Sequence, residues 1–181
     1  MEEAVPQEEI QPIDGVLTED GVKVDDLDRG QEMEQSGYGT KEGSKLALRD
    51  YEALYLVYAK KLVVRDRGGK EVPFERLSEL AQKNASDSWT KFVIYRDLRS
   101  RGYVVREGFG FGTDLRVYER GDYPKKPAKY VVFALDEGIE KGMADLQKSV
   151  RQMGKMGKEA IIAVIERRGE VIYYRVSRTR F

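Results

Sequence analysis

Cysteine and histidine are both absent from this sequence of 181 residues. Without cysteine, the chain can form neither a disulfide framework nor a thiolate metal site. Without histidine, it lacks the side chain that most often acts as a general acid or base near neutral pH and most often binds metal ions. Any chemistry in this chain must therefore rest on other side chains.

Long apolar runs are also missing, and none approaches the ~20 residues that a bilayer-spanning helix needs. The chain begins with acidic residues, whereas a secretory signal begins with basic ones. We therefore expect a soluble, cytoplasmic protein. No Walker phosphate loop is found either. The glycines Gly108, Gly110 and Gly112 precede a predicted strand, whereas a phosphate-binding loop opens a helix.

Charge is abundant and unevenly distributed. Hydrophobic residues make up 40% of the chain and charged residues 35%, so the chain can bury a core and carry an ion-paired surface of the kind found in thermophiles. Residues 1–85 carry 12 basic and 19 acidic residues (net −7), and residues 86–181 carry 20 and 13 (net +7). A basic half is typical of a polyanion binder, although two halves or two subunits of opposite charge also attract each other.

The hydrophobic pattern predicts an α/β (α+β) fold of two small subdomains, each a mixed sheet with helices. We place the N-terminal domain at residues 1–85, with 1–12 disordered, and the C-terminal domain at residues 86–181. In the N-terminal domain we expect a hairpin over 16–24, a connection over 28–45, a helix over 48–61 with Tyr58 on its inner face, a strand over 62–64 and a helix that begins at Pro73.

The C-terminal domain is predicted to begin with a helix capped by Ser86 or Asp87 and ended by Gly102, with Trp89 and Phe92 facing inward. Strands are expected at 103–106, 114–119 and 130–135, followed by a helix over 139–153. A hairpin of strands 160–165 and 171–176 completes the domain, and its β-branched and aromatic residues suit a buried sheet.

Three stretches of the C-terminal half resemble one family. They are YRDLRSRGYVVREGFGFGTDLRVYERG (95–121), RQMGKMGKEAIIAVIE (151–166) and VIYYRV (171–176). In this order and spacing they resemble the C-terminal domain of the archaeal tRNA-splicing endonucleases, also called tRNA-intron endonucleases. The N-terminal half agrees more loosely, through residues 37–39 and 52–56, so that the resemblance covers roughly residues 30–181.

The resemblance implies an RNA endonuclease that needs no metal or other cofactor. Its family cleaves precursor tRNA at bulge-helix-bulge splice sites: the ribose 2′-hydroxyl attacks the adjacent phosphorus, leaving a 2′,3′-cyclic phosphate and a 5′-hydroxyl end. The family uses a tyrosine, a histidine and a lysine. The tyrosine corresponds to Tyr118, the lysine to Lys158, and two RNA-binding arginines to Arg151 and Arg175. The alternatives are a tyrosine packed at the edge of a sheet, a solvated lysine and ordinary surface arginines.

The family's histidine has no counterpart here. Its place falls on Pro127, or on Ala128 if the register shifts by one, and neither side chain can donate a proton. Loss of a general acid slows such a reaction by roughly 10²–10⁴-fold. Three explanations remain open: a non-catalytic subunit of a two-gene enzyme, a catalytic-type subunit whose histidine has been removed, or another residue, such as Lys125 or Lys126, in the acid's role.

Two functions of different classes follow. The first is a catalytic-type subunit that binds precursor tRNA within a homotetramer, or within a heterotetramer that includes a second endonuclease subunit. The alternative is a non-catalytic structural subunit or RNA-binding scaffold. Replacing Tyr118 or Lys158 distinguishes them, since an enzyme needs both residues and a scaffold tolerates the change.

Overall fold

The computed structural model describes residues 11–110, 113–136 and 142–179. The predicted α/β fold class is confirmed: five helices and two mixed five-stranded sheets lie in these ranges. None of the helices in the described residues is long and apolar enough to cross a membrane. Residues 1–10, most of the segment predicted to be disordered, lie outside the described residues.

The first sheet begins with the predicted hairpin. Strand β1 (Ile13–Thr18) pairs antiparallel with β2 (Gly21–Val24), and Gly21 has a φ of +113°, which suits glycine in a tight turn. The sheet also contains β3 (Thr40–Glu42), β4 (Lys45–Leu48) and β5 (Leu62–Arg65), in the order β3-β4-β2-β1-β5. The chain reaches β5 through helix α2 (Asp50–Tyr58), and β5 lies parallel to β1.

The prediction of a connection over residues 28–45 is wrong. This segment contains most of helix α1 (Leu27–Gln35), then β3 and the first residue of β4. The carboxylate of Asp26 caps α1 by accepting a hydrogen bond from the backbone N–H of Arg29 at 3.0 Å. Only Gly30 and Met33 are buried in α1, so the helix shows almost no apolar periodicity in the sequence.

Helix α3 (Phe74–Asn84) starts one residue after Pro73, which is its N-cap residue. Helix α4 (Ser88–Ser100) follows and ends as predicted, with Gly102 at a φ of +86° just beyond it. One apolar core continues from α2 across α4 into the second sheet. The proposed boundary between residues 85 and 86 therefore stays a prediction.

Two aromatic residues predicted to face inward are exposed. Trp89 is 42% exposed and Tyr58 is 56% exposed. Both rings pack against the edge of the fully buried Phe92, at centroid distances of 5.2 and 6.1 Å. Of these three aromatic residues, only Phe92 occupies the core. The apolar spacing in the sequence does not distinguish it from the two rings that remain at the surface.

The second sheet has the order β10-β9-β8-β7-β6. Its strands are β6 (Val104–Gly110), β7 (Thr113–Tyr118), β8 (Tyr130–Asp136), β9 (Glu159–Ile165) and β10 (Val171–Val176), each within a few residues of its predicted position. β8 and β9 are parallel, and helix α5 (Met143–Lys155) lies between them in the chain. The first three residues of the helix predicted over 139–153 lie outside the described residues.

The two faces of this sheet have different partners. One face, including Val105, Val117 and Val132, joins the main core together with α4. The opposite face has its own small core of Val131, Phe133, Met153 and Ala160, to which α5 contributes the methionine. Because side chains alternate along a strand, residues in register with this second set lie on the α5 face of the sheet.

Candidate active site

Lys158 stands at the turn between α5 and β9. Its backbone N–H donates to the carbonyl oxygen of Met153 at 2.9 Å, and the preceding Gly157 has a φ of +66°. The Nζ amino group donates a hydrogen bond to the backbone carbonyl oxygen of Ala128. This amino group also lies 5.9 Å from the ring centroid of Phe109. The backbone and the amino group of the half-buried Lys158 are therefore both held in place by hydrogen bonds.

Lys158 lines a groove of about 780 Å³ between the end of α5 and the paired ends of β9 and β10. Arg151 and Arg175 line the same groove, so the structure brings together three of the four predicted site residues. Among the described residues, its charged side chains are five cations and one carboxylate: Arg151, Lys155, Lys158, Arg175, Arg178 and Glu159. Such a concentration of positive charge favours a polyanionic ligand.

Arg175 is not fully available to a ligand. Its Nε lies 3.1 Å from Oε2 of Glu159, and the two residues form an ion pair on the lining of the groove. The pairing of Arg175 with Ile161 in the β9–β10 ladder places the two charged residues on neighbouring strands. Arg178, three residues further on, lines the groove as well.

Tyr118 lies at the end of β7, outside the lining of the groove. Its side chain is only 9% exposed, and its ring meets that of Tyr123 edge-to-face at a centroid distance of 5.0 Å. Two hydrogen bonds to the backbone link its neighbour Val117 to Lys158. Lys129 donates its N–H to the carbonyl oxygen of Val117 at 3.0 Å, and the preceding Ala128 accepts from Lys158. Residues 128 and 129 therefore lie between the end of β7, which carries the tyrosine, and the lysine.

Two arginines close to Tyr118 in the chain take different directions. Arg116, two residues earlier on β7, shares its face of the sheet and places its guanidinium 5.2 Å from the Phe109 ring. Arg120 instead lies over the ring of Tyr103 at 5.9 Å. Phe109 thus has both Lys158 and Arg116 against it, a role that the glycine-rich sequence around it did not indicate.

The two positions at which the family's histidine is missing differ in exposure. Pro127 is exposed, whereas Ala128 is 3% exposed. One of the two neighbouring lysines is already engaged by a carboxylate. Lys126 is bound to the carboxylate of Asp122 at 2.8 Å, and this hydrogen bond raises the pKa of the Lys126 ammonium above its ordinary value. A raised pKa makes an ammonium a weaker proton donor, so Lys126 is poorly suited to the acid's role.

Among the described residues, no group of three or more acidic, histidine or cysteine side chains could hold a metal ion. What the site offers is cations, a tyrosine and backbone groups. These can bind a phosphodiester and stabilise negative charge on it.

Comparison with known proteins identifies the family. Residues 13–78 match the family described as tRNA intron endonuclease, N-terminal domain, and residues 88–173 match tRNA intron endonuclease, catalytic C-terminal domain. The tRNA-splicing endonuclease of Methanococcus vannielii is 33% identical over 158 residues, covering 87% of this chain and 89% of the relative. That of Thermococcus onnurineus is 33% identical over 144 residues, covering 80% and 82%.

A third relative, the tRNA-splicing endonuclease of Pyrococcus furiosus, is 32% identical over 145 residues, covering 80% of this chain and 83% of the relative. These relatives are archaeal, and thermophiles are among them. The two halves of the fold therefore correspond, in the same order, to the two domains of a tRNA intron endonuclease. The chain belongs to the tRNA-splicing endonuclease family.

Proposed function

We propose that this chain is a catalytic-type subunit that binds the bulge-helix-bulge junction of a precursor tRNA in its basic groove and cleaves it without a metal ion. One observation carries this proposal: the amino group of Lys158 is held on the lining of a groove that contains four further cations. Arg151 and Arg175 have guanidinium planes that can stack on an unpaired base. Tyr118 takes the tyrosine's role.

In the proposed reaction, the 2′ oxygen at the junction bonds to the adjacent phosphorus while the bond from phosphorus to the 5′ oxygen breaks. The proton of the 2′-hydroxyl passes to the phenolate form of Tyr118. Lys158 stabilises the negative charge that builds up around phosphorus. The products are a 2′,3′-cyclic phosphate and a 5′-hydroxyl end. The departing oxygen takes its proton from water, because the chain supplies no histidine.

The leaving group gives the proposal a sharp test. A 5′-thio RNA, in which sulfur replaces the scissile 5′ oxygen, needs no acid, because a thiol has a pKa of about 8.5, far below that of an alcohol. In EDTA the purified chain is expected to cleave this RNA, and the all-oxygen RNA roughly 10²–10⁴-fold more slowly. Lys158→Ala should reduce thio-RNA cleavage by about 10²–10³-fold.

Lys148→Ala is the matched control, because Lys148 is exposed on α5 and does not line the groove. Equal rates for the Lys158 and Lys148 variants would contradict the role of Lys158. Tyr118→Phe removes the proposed base and is expected to lower the rate on both RNAs. A rate that depends on added Mg²⁺ would contradict the metal-independent reaction.

A non-catalytic RNA-binding subunit is the second candidate. The burial of Tyr118 against Tyr123 favours it, since a base must reach the 2′-hydroxyl. In that case neither RNA is cleaved by the chain alone, while Arg151→Ala still weakens RNA binding. Cleavage that appears only after a second endonuclease subunit is added, and that survives Tyr118→Phe, would establish the non-catalytic role.

The same proposal includes a tetrameric, cytoplasmic assembly, built either from copies of this chain or with a second subunit. Strand β10 forms an edge of the second sheet, with Tyr174 exposed on it, and an edge strand offers backbone groups to a partner. Light scattering at the concentration of the cleavage assay measures the assembly directly. A monomer that cleaves RNA would contradict it.

A further inference from the structure

We propose that Tyr123 is a positioning residue that couples the end of α1 to Tyr118, so that the N-terminal half of the chain sets the orientation of the tyrosine. This inference rests on the proposed function, because it gives Tyr118 a role in cleavage. Four contacts, each between neighbours in the described structure, connect the two halves of the chain at this point.

The first contact joins the two tyrosines. The ring of Tyr123 meets the ring of Tyr118 at an interplanar angle of 82° and a centroid distance of 5.0 Å. Edge-to-face pairs of this kind are favoured by the charge distribution of the two rings, beyond the burial of their surface. Tyr118 is the last residue of β7, so the strand pairing continues only towards the start of that strand. Beyond Tyr118, the Tyr123 ring packs against its side chain instead.

The second and third contacts join Tyr123 to the end of α1. Its hydroxyl lies 3.5 Å from the carbonyl oxygen of Glu34, in the last turn of that helix. A β-carbon built on Gly37 would lie 3.4 Å from Cε1 of the Tyr123 ring and 2.4 Å from Cγ1 of Val104. Val104 is in turn the ladder partner of Tyr118. The Gly37 backbone thus packs against both neighbours of Tyr118.

The fourth contact fixes the segment that carries Gly37. Arg99 of α4 donates to the carbonyl oxygens of Ser36 at 3.0 Å and Gly37 at 2.5 Å. Its guanidinium also lies 4.0 Å from the ring centroid of Tyr38 and donates to the Tyr95 hydroxyl at 3.1 Å. Arg99 therefore clamps the end of α1 in place, and through Tyr123 this clamp reaches Tyr118.

A double-mutant cycle on the 5′-thio RNA tests the coupling. Tyr123→Leu removes the ring edge and is expected to lower the single-turnover rate by about 10-fold to 100-fold with little change in RNA affinity, because displacement of a catalytic group acts on the chemical step. Tyr123→Phe keeps the ring but loses the hydroxyl contact with Glu34, so its rate should lie between those of the parent and Tyr123→Leu. In the Tyr118→Phe background, Tyr123→Leu should have no further effect.

An equal loss from Tyr123→Leu in both backgrounds, or a loss that appears only in RNA affinity, would overturn the inference. The outcome is distinct from failure of the proposed function, in which Tyr118→Phe itself leaves the rate unchanged. A second readout does not depend on activity. With ¹³C-labelled tyrosine, the ring signal of Tyr118 is assigned by its loss in Tyr118→Phe.

Tyr123→Leu and Arg99→Lys should both shift this ring signal. Tyr58→Phe is the control, because Tyr58 is exposed on α2 and contacts Phe92 and Arg96 instead. If Arg99→Lys leaves the Tyr118 signal where it is in the parent chain, then the clamp does not reach Tyr118 and the coupling is overturned.

Discussion

The amino group of Lys158 donates a hydrogen bond to the backbone carbonyl oxygen of Ala128, one of the two positions at which the family's histidine is missing. Lys158 is therefore hydrogen-bonded to the segment in which the family's histidine is missing. In the proposed reaction, we expect a histidine introduced here to reach the same phosphate as Lys158. Pro127 and Ala128 differ sharply in exposure, which predicts different results for the two substitutions.

Pro127→His is expected to restore cleavage of the all-oxygen RNA by about 10²-fold or more, since it supplies a general acid. The exposed Pro127 side chain leaves room for the imidazole, so stability should change little. Ala128→His instead forces a large ring into a buried position and should cost about 1–3 kcal/mol in the free energy of unfolding. Urea unfolding and the cleavage assay check both. An Ala128→His protein as stable as the parent would contradict the burial of position 128.

Gly37→Ala should destabilise the fold far more than Gly43→Ala. Both glycines have positive φ, +81° and +63°, so each substitution carries a similar backbone penalty of about 1 kcal/mol. A β-carbon at Gly37 would lie 2.4 Å from Cγ1 of Val104, whereas one at Gly43 meets nothing within 4 Å. The difference between the two unfolding free energies measures the contact between the halves of the chain. Equal losses would mean that this contact relaxes freely.

The elements that the sequence predicted well have strong local signals. Strand β10 is a run of β-branched and aromatic residues, and α4 ends at a glycine, so their positions followed from residue type alone. Helix α1 was missed because its stability comes from the Asp26 cap and from packing of Met33 and Gly30 against the first sheet. A helix of nine residues that is stabilised by contacts with distant parts of the chain shows no periodic apolar pattern in its own sequence.

The site was predictable only in part, for the same reason. The resemblance pointed to Lys158 and Arg151, and the chain order of α5 and β9 brings both to one groove. The ion pair between Arg175 and Glu159 depends on the strand register, and the contact of Tyr118 with Tyr123 depends on the fold of the loop that follows β7. A sequence motif identifies such residues but does not report whether they are exposed.

Glu52 should make the stability of the fold depend on pH. The side chain is buried at 2% exposure, and burial raises the pKa of its carboxyl, although hydrogen bonds from the N–H groups of Arg49 and Gly39 oppose this. Above the unfolded pKa near 4.5, the unfolded chain has released this proton while the folded chain still holds it. The folded state is then favoured by low pH, and the free energy of unfolding should fall as pH rises towards the folded pKa.

Glu52→Gln removes this titration while keeping the size and one acceptor of the side chain. Relative to the parent, the variant should therefore gain stability as pH rises from about 4 to 8, as measured by urea unfolding at each pH. Glu75→Gln, at an exposed position on α3, controls for the change of residue type. A stability difference between parent and Glu52→Gln that stays constant with pH would contradict the linkage.

The salt dependence of RNA binding should separate the two arginines of the groove. Each phosphate contact that is lost lowers the slope of log K against log salt concentration by roughly 1. Arg151→Ala is expected to reduce both the affinity and this slope, because Arg151 is exposed on the groove. Arg175→Ala should have a smaller effect, since its guanidinium is already paired with Glu159 at 3.1 Å.

Glu159→Gln provides the opposite change. It removes the acidic side chain among the residues that line the groove and releases Arg175 from its ion pair, so RNA should bind more tightly and with a steeper salt dependence. Fluorescence anisotropy with a labelled bulge-helix-bulge RNA measures both quantities. Arg76→Ala, which removes a cation paired with Glu79 on α3, controls for net charge. If Arg76→Ala and Arg151→Ala lower the slope equally, net charge rather than the groove governs binding. A weaker affinity in Glu159→Gln would mean that the ion pair holds Arg175 in its RNA-binding position.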